Sequence, residues 1–454
     1  MGIENILFIV MLLVGGGLFA RRVNQIRFYI NQGKDQVIND RKGERWSTMA
    51  RVAMGQSKMT ARPIAGFLHL IVYVGFVLIN IEVLEIVVDG IFGTHRFFAP
   101  YLGGFYNFLT AFIEVLAILV LLACVIFLIR RNILKIKRFH LKEMTSWPKS
   151  DANIILIAEV ILMGALLKMN AVDQVLQVRL DEAVFMGSGV SEHLSHYIKA
   201  GSYPVSQWIT GFFDGYSTET LFMFERLIWW MHIAGILAFL NYVPYSKHFH
   251  IFLAFPNTWY ANLDPIGKFD NMESVKKEVE LMMDPSADPY AAPAPDADLT
   301  PVSFGAKDIT DLSWKNLMDA YSCTECGRCS SVCPANLTGK LLSPRKIMMD
   351  TRDRAEELGN YRLKEGKDKH DGKSLLHDFI SEEELWACTS CNACVDACPI
   401  LIDPLDIIVD LRRNLIMEES KSPESITSMF NNIENNGAPW AFPAADRDKW
   451  VTES

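Results

Sequence analysis

Eight of the nine cysteines fall into two copies of one spacing, Cys323-x2-Cys326-x2-Cys329-x3-Cys333-Pro334 and Cys388-x2-Cys391-x2-Cys394-x3-Cys398-Pro399. Thiolates are soft ligands, and three of them at two-residue spacing wrap one iron-sulfur cube. The fourth cysteine of each run lies too far along the chain to close the same cube, so in a two-cluster module it ligates the other one. This spacing predicts one [4Fe-4S] cluster on Cys323, Cys326, Cys329 and Cys398, and a second on Cys388, Cys391, Cys394 and Cys333. Structural zinc prefers two separated ligand pairs, and disulfides are at odds with the cytosolic placement argued below. The module implies electron transfer.

The flanking residues extend the pattern. Tyr321-Ser-Cys-Thr-Glu-Cys-Gly-Arg-Cys, Thr338-Gly-Lys, Leu342-Ser-Pro-Arg and Leu385-Trp-Ala-Cys-Thr-Ser-Cys-Asn-Ala-Cys together resemble the dicluster domain of the heterodisulfide reductase and glycerol-3-phosphate dehydrogenase iron-sulfur subunits. The resemblance covers about residues 305 to 417.

Half of the residues are hydrophobic and the mean hydropathy is +0.14, too apolar for an ordinary soluble chain of 454 residues. Charge divides it in two. Residues 1 to 256 hold 23 Lys plus Arg against 18 acids, and residues 257 to 454 hold 21 against 35. The acidic second half argues against a nucleic-acid partner, which needs a basic face. The first apolar run has no basic residue ahead of it, unlike a cleaved signal; Arg21 and Arg22 follow it.

A helix crosses a bilayer in about 20 residues. Five apolar runs approach that length, at about 3 to 20, 64 to 88, 107 to 129, 152 to 170 and 226 to 252. The fourth contains Glu159 and Lys168 and reads equally as a buried core helix. Residues 21 to 62 carry ten bases against three acids and residues 130 to 149 seven against one. By contrast, 89 to 106 has only Arg96, and 171 to 225 has Arg179 and Lys199 among seven acids. The positive-inside rule then puts the amino terminus outside and the cluster domain in the cytoplasm of a prokaryotic cell, under its inner membrane. Residues 171 to 225 are too long for a plain loop and read as a partly helical cap, with Trp208, Phe212 and Phe213 at the outer interface.

Beyond residue 256, Met272 to Met283 reads as a short amphipathic helix and Asp284 to Pro301, with five prolines, as a linker; together they fill a 257–304 connection. Residues 351 to 374 are dense in charge without apolar period, and read as a solvated excursion between the cysteine copies. The tail, 418–454, reads as a docking arm or as disordered.

Membrane cytochromes bind haem b between imidazoles of facing helices, so His69, His232 and His250 are candidate ligands. The 18-residue separation of His232 and His250 is five helical turns, about 27 Å, if the helix continues through Pro244. With the run Val243-Pro-Tyr-Ser-Lys-His-Phe-His-Ile, about residues 1 to 255 of the 1–256 membrane domain resemble the five-span cytochrome b subunit of respiratory nitrate reductase. The resemblance implies two haem ligands on the fifth helix, and two partners ten residues apart on the second. His69 matches the inner partner, but Ile79 stands where the outer one belongs. An inner haem on His69 and His250 is expected. An outer haem at His232 would need His193, His196 or His95. Glu82, Glu85, Glu114 and Glu159 lie within spans, as proton carriers for a quinone or as buried hydrogen-bonded carboxyls.

The fold class expected is mainly α: a five-helix haem b bundle in membrane lipid, then a 305–417 dicluster domain. Its expected function is electron transfer between a cytoplasmic partner, two clusters, b-type haem and the quinone pool. The rival is a haem-free anchor that recruits the dicluster module to a larger complex. The sequence shows neither a Gly-rich nucleotide loop in context nor a Cys-Cys pair. The resemblance therefore implies a substrate site on a separate chain, either a Cys-Cys-Gly-motif subunit or a flavoprotein such as electron-transferring flavoprotein.

The orientation is testable. A membrane-impermeant thiol reagent applied to intact cells should label a cysteine placed at Ser202 and spare one placed at Ser57; reversed labelling would put the clusters outside.

Overall fold

The computed structural model describes residues 2–187, 190, 194–286 and 303–452. Among them helices predominate, and the only β-pairing is two isolated bridges. The chain divides into two compact units. One comprises Met1–Phe28, Arg41–Trp259 and Tyr321–Gly327, and the other Tyr29–Asp40, Tyr260–Ala320 and Arg328–Ser454. The end of the first helix belongs to the second unit, and the first two cysteines belong to the first.

In the first unit, five helices are long and apolar enough to cross a membrane: α1 (Ile3–Ile30), α2 (Pro63–Phe92), α3 (Gly104–Asn132), α4 (Trp147–Phe185) and α5 (Thr218–Tyr242). Proline opens α2 at a position where its missing N–H costs nothing. Gly93, at φ 71°, closes it and returns its N–H to Asp89 at 2.7 Å. Buried Phe8, Ile79, Ile113, Ala117, Leu166 and Ile233 pack between the helices. At Gly75 the helices approach so closely that a Cβ would lie 2.3 Å from Val120. Outward-facing Leu7, Phe67, Leu84, Phe108 and Ile161 stay exposed, as on a lipid-facing surface.

The fourth helix does not stop near residue 170 but runs unbroken to Phe185. Its continuation is held by polar contacts that the apolar pattern does not report. Arg96, in the loop between α2 and α3, is 6% exposed. Its guanidinium donates to Asp173 at 3.0 Å, Asn170 at 2.8 Å and Glu82 at 3.2 Å. Glu85 accepts from Tyr106 Oη at 2.6 Å and Phe98 N at 2.9 Å, while Glu114 accepts from Val205 N at 3.0 Å, Ser206 N at 3.2 Å and Asn170 Nδ2 at 3.2 Å. Three of the four carboxyls found in the spans are therefore committed to joining helices and loops. The segment after α4 carries 3₁₀ turns at Leu194–His196 and Ser206–Phe212, with Trp208 and Phe212 exposed.

The fifth helix ends at Tyr242 rather than continuing to 252. Pro244 sits in a 3₁₀ turn, Val243–Tyr245, and a new helix α6 (His250–Trp259) begins at His250. Proline has no N–H for the helical ladder and its ring clashes with the preceding turn. His232 and His250 therefore lie on different helices, and the five-turn relation between them does not hold.

In the second unit, α7 (Glu273–Met283) matches the amphipathic helix expected there. The proline-rich stretch after it lies largely outside the described residues. The unit's buried residues include Leu317 of α8 (Trp314–Ser322, its last two residues assigned to the first unit), Ile347 and Leu358 of α9 (Pro344–Glu365), and Ile408 and Leu411 of α10 (Pro404–Met417), and α9 packs against α10. Tyr29 is buried here, with its hydroxyl 2.7 Å from Asn360 Oδ1. Residues 351 to 365 are no solvated excursion: Thr351, Arg354, Ala355 and Leu358 are fully buried. Pairing makes this burial possible, since the Arg354 guanidinium donates to Asp308 at 2.7 and 2.9 Å and to Asp371 at 2.6 and 2.8 Å. The tail contains a helix, Glu424–Asn436, ended by Gly437 at φ 65°.

Arg354→Leu would leave Asp308 and Asp371 without their counter-charge. Removal of one partner from a buried ion pair costs about 3–5 kcal/mol, so the guanidinium midpoint for loss of the iron-sulfur absorbance should fall sharply. Hydrogen bonding from Arg354 holds the Asp371 carboxyl at about 2, below its ordinary 3.8. Its stabilisation is complete above the ordinary value and is lost as pH falls from about 4 towards 2, a loss that Asp371→Asn should remove.

Candidate functional site

The two cysteine copies repeat in backbone as well as in sequence. Glu325 and Gly327 in the first copy have φ 53° and 68°; Ser390 and Asn392, each 65 residues later, have φ 53° and 59°. These left-handed residues turn the loop tightly around its sulfurs, and three of the four carry a side chain despite its cost there. Each copy ends Cys-Pro, and Pro334 opens the short helix Pro334–Leu337.

All nine cysteines lie among the described residues, and no disulfide joins any of them. Cys323 and Cys326 belong to the first unit; Cys329, Cys333, Cys388, Cys391, Cys394 and Cys398 belong to the second. Within the second unit, Cys333 comes close enough to Cys388 and Cys394 for its charge to act on both thiols, and Cys391 acts on Cys388. Burial pushes the Cys394 thiol up to about 12, and also raises that of Cys388. Metal binding must therefore displace protons from this group. The donors suit an iron-sulfur cluster: the thiols of Cys333, Cys388, Cys391 and Cys394 gather, and the Ser390 backbone N–H points at Cys388 Sγ from 3.4 Å; outside this group, Ile402 N lies 3.3 Å from Cys398 Sγ. Arg412 braces the second loop. Its guanidinium donates to Leu385 O and Cys388 O, reaches Ser390 Oγ at 3.3 Å and lies over the Trp386 ring, 5.1 Å from its centroid. The spacing did not reveal this arginine.

In the first unit, His69 and His250 meet with ring centroids 6.5 Å apart, and His248 lies 5.6 Å from His250. A metal bound by an imidazole nitrogen at about 2.0–2.1 Å lies about 3 Å from the ring centroid. Two imidazoles on opposite sides of one iron thus have centroids about 6 Å apart, as these two do. His250 Nδ1 lies 3.1 Å from Lys247 O. A carbonyl only accepts, so Nδ1 carries the proton and Nε2 remains the metal-binding nitrogen. The group fits a bis-imidazole haem, and His248 adds a third ring that the family pattern does not require.

His232 is 2% exposed and bonds the Leu162 backbone through its ring, while its Nδ1 is buried without a hydrogen-bond partner. Of the suggested replacement ligands, His95 and His196 are brought to each other, with centroids 6.0 Å apart, and His95 Nε2 lies 3.3 Å from Asp173. His193 lies outside the described residues.

Comparison with known proteins bears on the cysteine site. Residues 322–401 match the family model of the 4Fe-4S dicluster domain. Over 99% of its length the chain is 27% identical to the probable iron-sulfur-binding oxidoreductase FadF of Bacillus subtilis, covering 61% of that protein. Over 91% of its length it is 28% identical to the EtfAB:quinone oxidoreductase of Syntrophomonas wolfei, covering 55% of it. A shorter stretch, 24% of the chain, is 33% identical to one of the polypeptides of a CoB-CoM heterodisulfide reductase from Methanosarcina acetivorans, covering 53% of it. No solved structure matches. The chain spans only about three fifths or less of the curated relatives it matches over most of its length. It carries a 4Fe-4S dicluster domain together with five helices of membrane-crossing length, and resembles iron-sulfur electron-transfer proteins.

Proposed function

We propose that the chain is the membrane-bound electron-transfer part of a quinone-linked oxidoreductase. In this reading one cluster is held by Cys323, Cys326, Cys329 and Cys398, the other by Cys333, Cys388, Cys391 and Cys394, and one haem b by His69 and His250. Clusters and haem supply one-electron steps. The observation that carries the reading is the pair His69 and His250, at the separation that iron ligation from two sides requires, in a chain that also holds a dicluster domain. The likeness to the Syntrophomonas relative, an EtfAB:quinone oxidoreductase, supports a quinone and a flavoprotein as the two ends of the route. The substrate site is assigned to a partner, a Cys-Cys-Gly-motif subunit or a flavoprotein such as electron-transferring flavoprotein. A second haem at His232 forms no part of the proposal, because two of its suggested partners, His95 and His196, pair with each other.

Purified protein should give one haem b per chain by pyridine haemochrome. His69→Ala and His250→Ala should each abolish it while the iron-sulfur EPR signals remain; His232→Ala should leave it bound. In the same preparation Cys333→Ser should damage the cluster of Cys388, Cys391 and Cys394. A protein without haem under ample haem supply fits only the anchor reading. Loss of the cluster on Cys323, Cys326 and Cys329 alone on Cys333→Ser would overturn the ligand assignment.

A further inference from the structure

The first two cysteines frame a buried charge. Glu325 stands between Cys323 and Cys326 in the segment Tyr321–Gly327, which belongs to the first unit. It is 3% exposed and holds the left-handed φ of 53° that its counterpart in the second copy, the uncharged Ser390, also holds. The turn therefore does not require a glutamate, and a carboxylate removed from water does require a partner. That partner is Lys247, whose Nζ donates to Glu325 Oε2 and to Pro148 O, the latter at 2.7 Å; the lysine side chain is 9% exposed.

A second carboxylate stands near Lys247 but is already engaged. Asp151 lies 3.8 Å from the ammonium, and its oxygens accept from Tyr242 Oη at 2.5 Å and from the Lys247 backbone N–H at 3.2 Å. At its other end, the same lysine's carbonyl takes the Nδ1–H of His250. A single residue thus connects an imidazole of the inner histidine group to the loop between two cluster cysteines: His250 ring, Lys247 carbonyl, Lys247 ammonium, Glu325 carboxylate, and one peptide bond to Cys326.

We propose that Lys247 is a positioning residue that fixes the Cys323–Cys326 loop to the His250 turn through Glu325, so that electrons pass between the first cluster and the His69/His250 site along this connection. The route rests on the function proposed above; the fixing of the loop does not.

The test uses the full chain, purified with its cofactors in lipid nanodiscs. In Lys247→Met, amide hydrogen exchange across residues 321–327 should rise by a factor of roughly a few hundred to a few thousand, the range that loss of one partner from a buried ion pair corresponds to. Iron and haem contents should stay at wild-type levels. After rapid mixing with a reductant that reduces the clusters first, the appearance of reduced haem should slow, and Lys247→Arg should restore both exchange and rate. Glu325→Gln should reproduce the exchange change, and adding it to Lys247→Met should bring little further effect because one interaction is lost in both. Should Lys247→Met not assemble, Glu325→Gln and the Arg variant decide the matter alone. Unchanged exchange in Glu325→Gln, or fully additive effects in the double variant, overturns the fixing role. Altered exchange with an unaltered haem-reduction rate overturns the route. A wild-type protein without haem sinks the proposed function and the route with it, and leaves the fixing role to the exchange arms.

Discussion

A charge removed from water must meet its opposite at close range, and this requirement organises both units more than apolar packing does. In the first unit Arg96 draws Glu82, Asn170 and Asp173 together from two helices, and Asp89 accepts from the backbone N–H groups of Arg96 and Phe97. The apolar faces that α2 and α4 turn to lipid impose no particular register, whereas a guanidinium with fixed donor directions does. In the second unit Arg354 does the same between Asp308 and Asp371. Each arginine would be a liability alone. Paired, each fixes where its neighbours lie.

The cysteine repeat imposes a constraint of another kind. Left-handed residues recur at the same two positions of each copy, so the loops share one shape although their side chains differ. The gathering of Cys333 with Cys388, Cys391 and Cys394 makes the second group out of residues from both copies. Three of its members come from the second copy and one from the first, so the 54 residues between Cys333 and Cys388 must fold for the group to form. This explains why the connecting stretch is a buried helix rather than a loose loop. One of its charges, Arg354, which in sequence looks like part of a solvated surface, is the centre of an internal ion-pair group with Asp308 and Asp371.

Long apolar runs and cysteine spacing were legible in the sequence because both are local patterns: a helix of membrane-crossing length covers each of the five apolar runs, though the fourth and fifth differ in where they end, and the helix at Glu273–Met283 stands where the pattern put it. What could not be read depends on partners distant in sequence. The unbroken run of α4 to Phe185 follows from Arg96, some 75 residues earlier, and the burial of Arg354 follows from Asp308. A charged residue in a helix looks the same whether its partner is water or a buried carboxylate. The exchange of Tyr29–Asp40 and Tyr321–Gly327 between the units has no signal in composition either.

The inner histidines are brought together by a relation other than the one their spacing suggests. Five helical turns between His232 and His250 presuppose one continuous helix, and Pro244 ends it. His250 is placed instead by local hydrogen bonds: Ser246 Oγ caps the turn by accepting from His248 N at 3.1 Å, and Lys247 O receives the His250 ring. The orientation of the imidazole is therefore set by a turn, and that turn is held in place by the lysine's contacts with Pro148 and Glu325. A helix would have offered His250 a fixed distance from His232. The turn offers it a fixed connection to Glu325, beside Cys326, and for an electron carrier that connection is the more useful of the two.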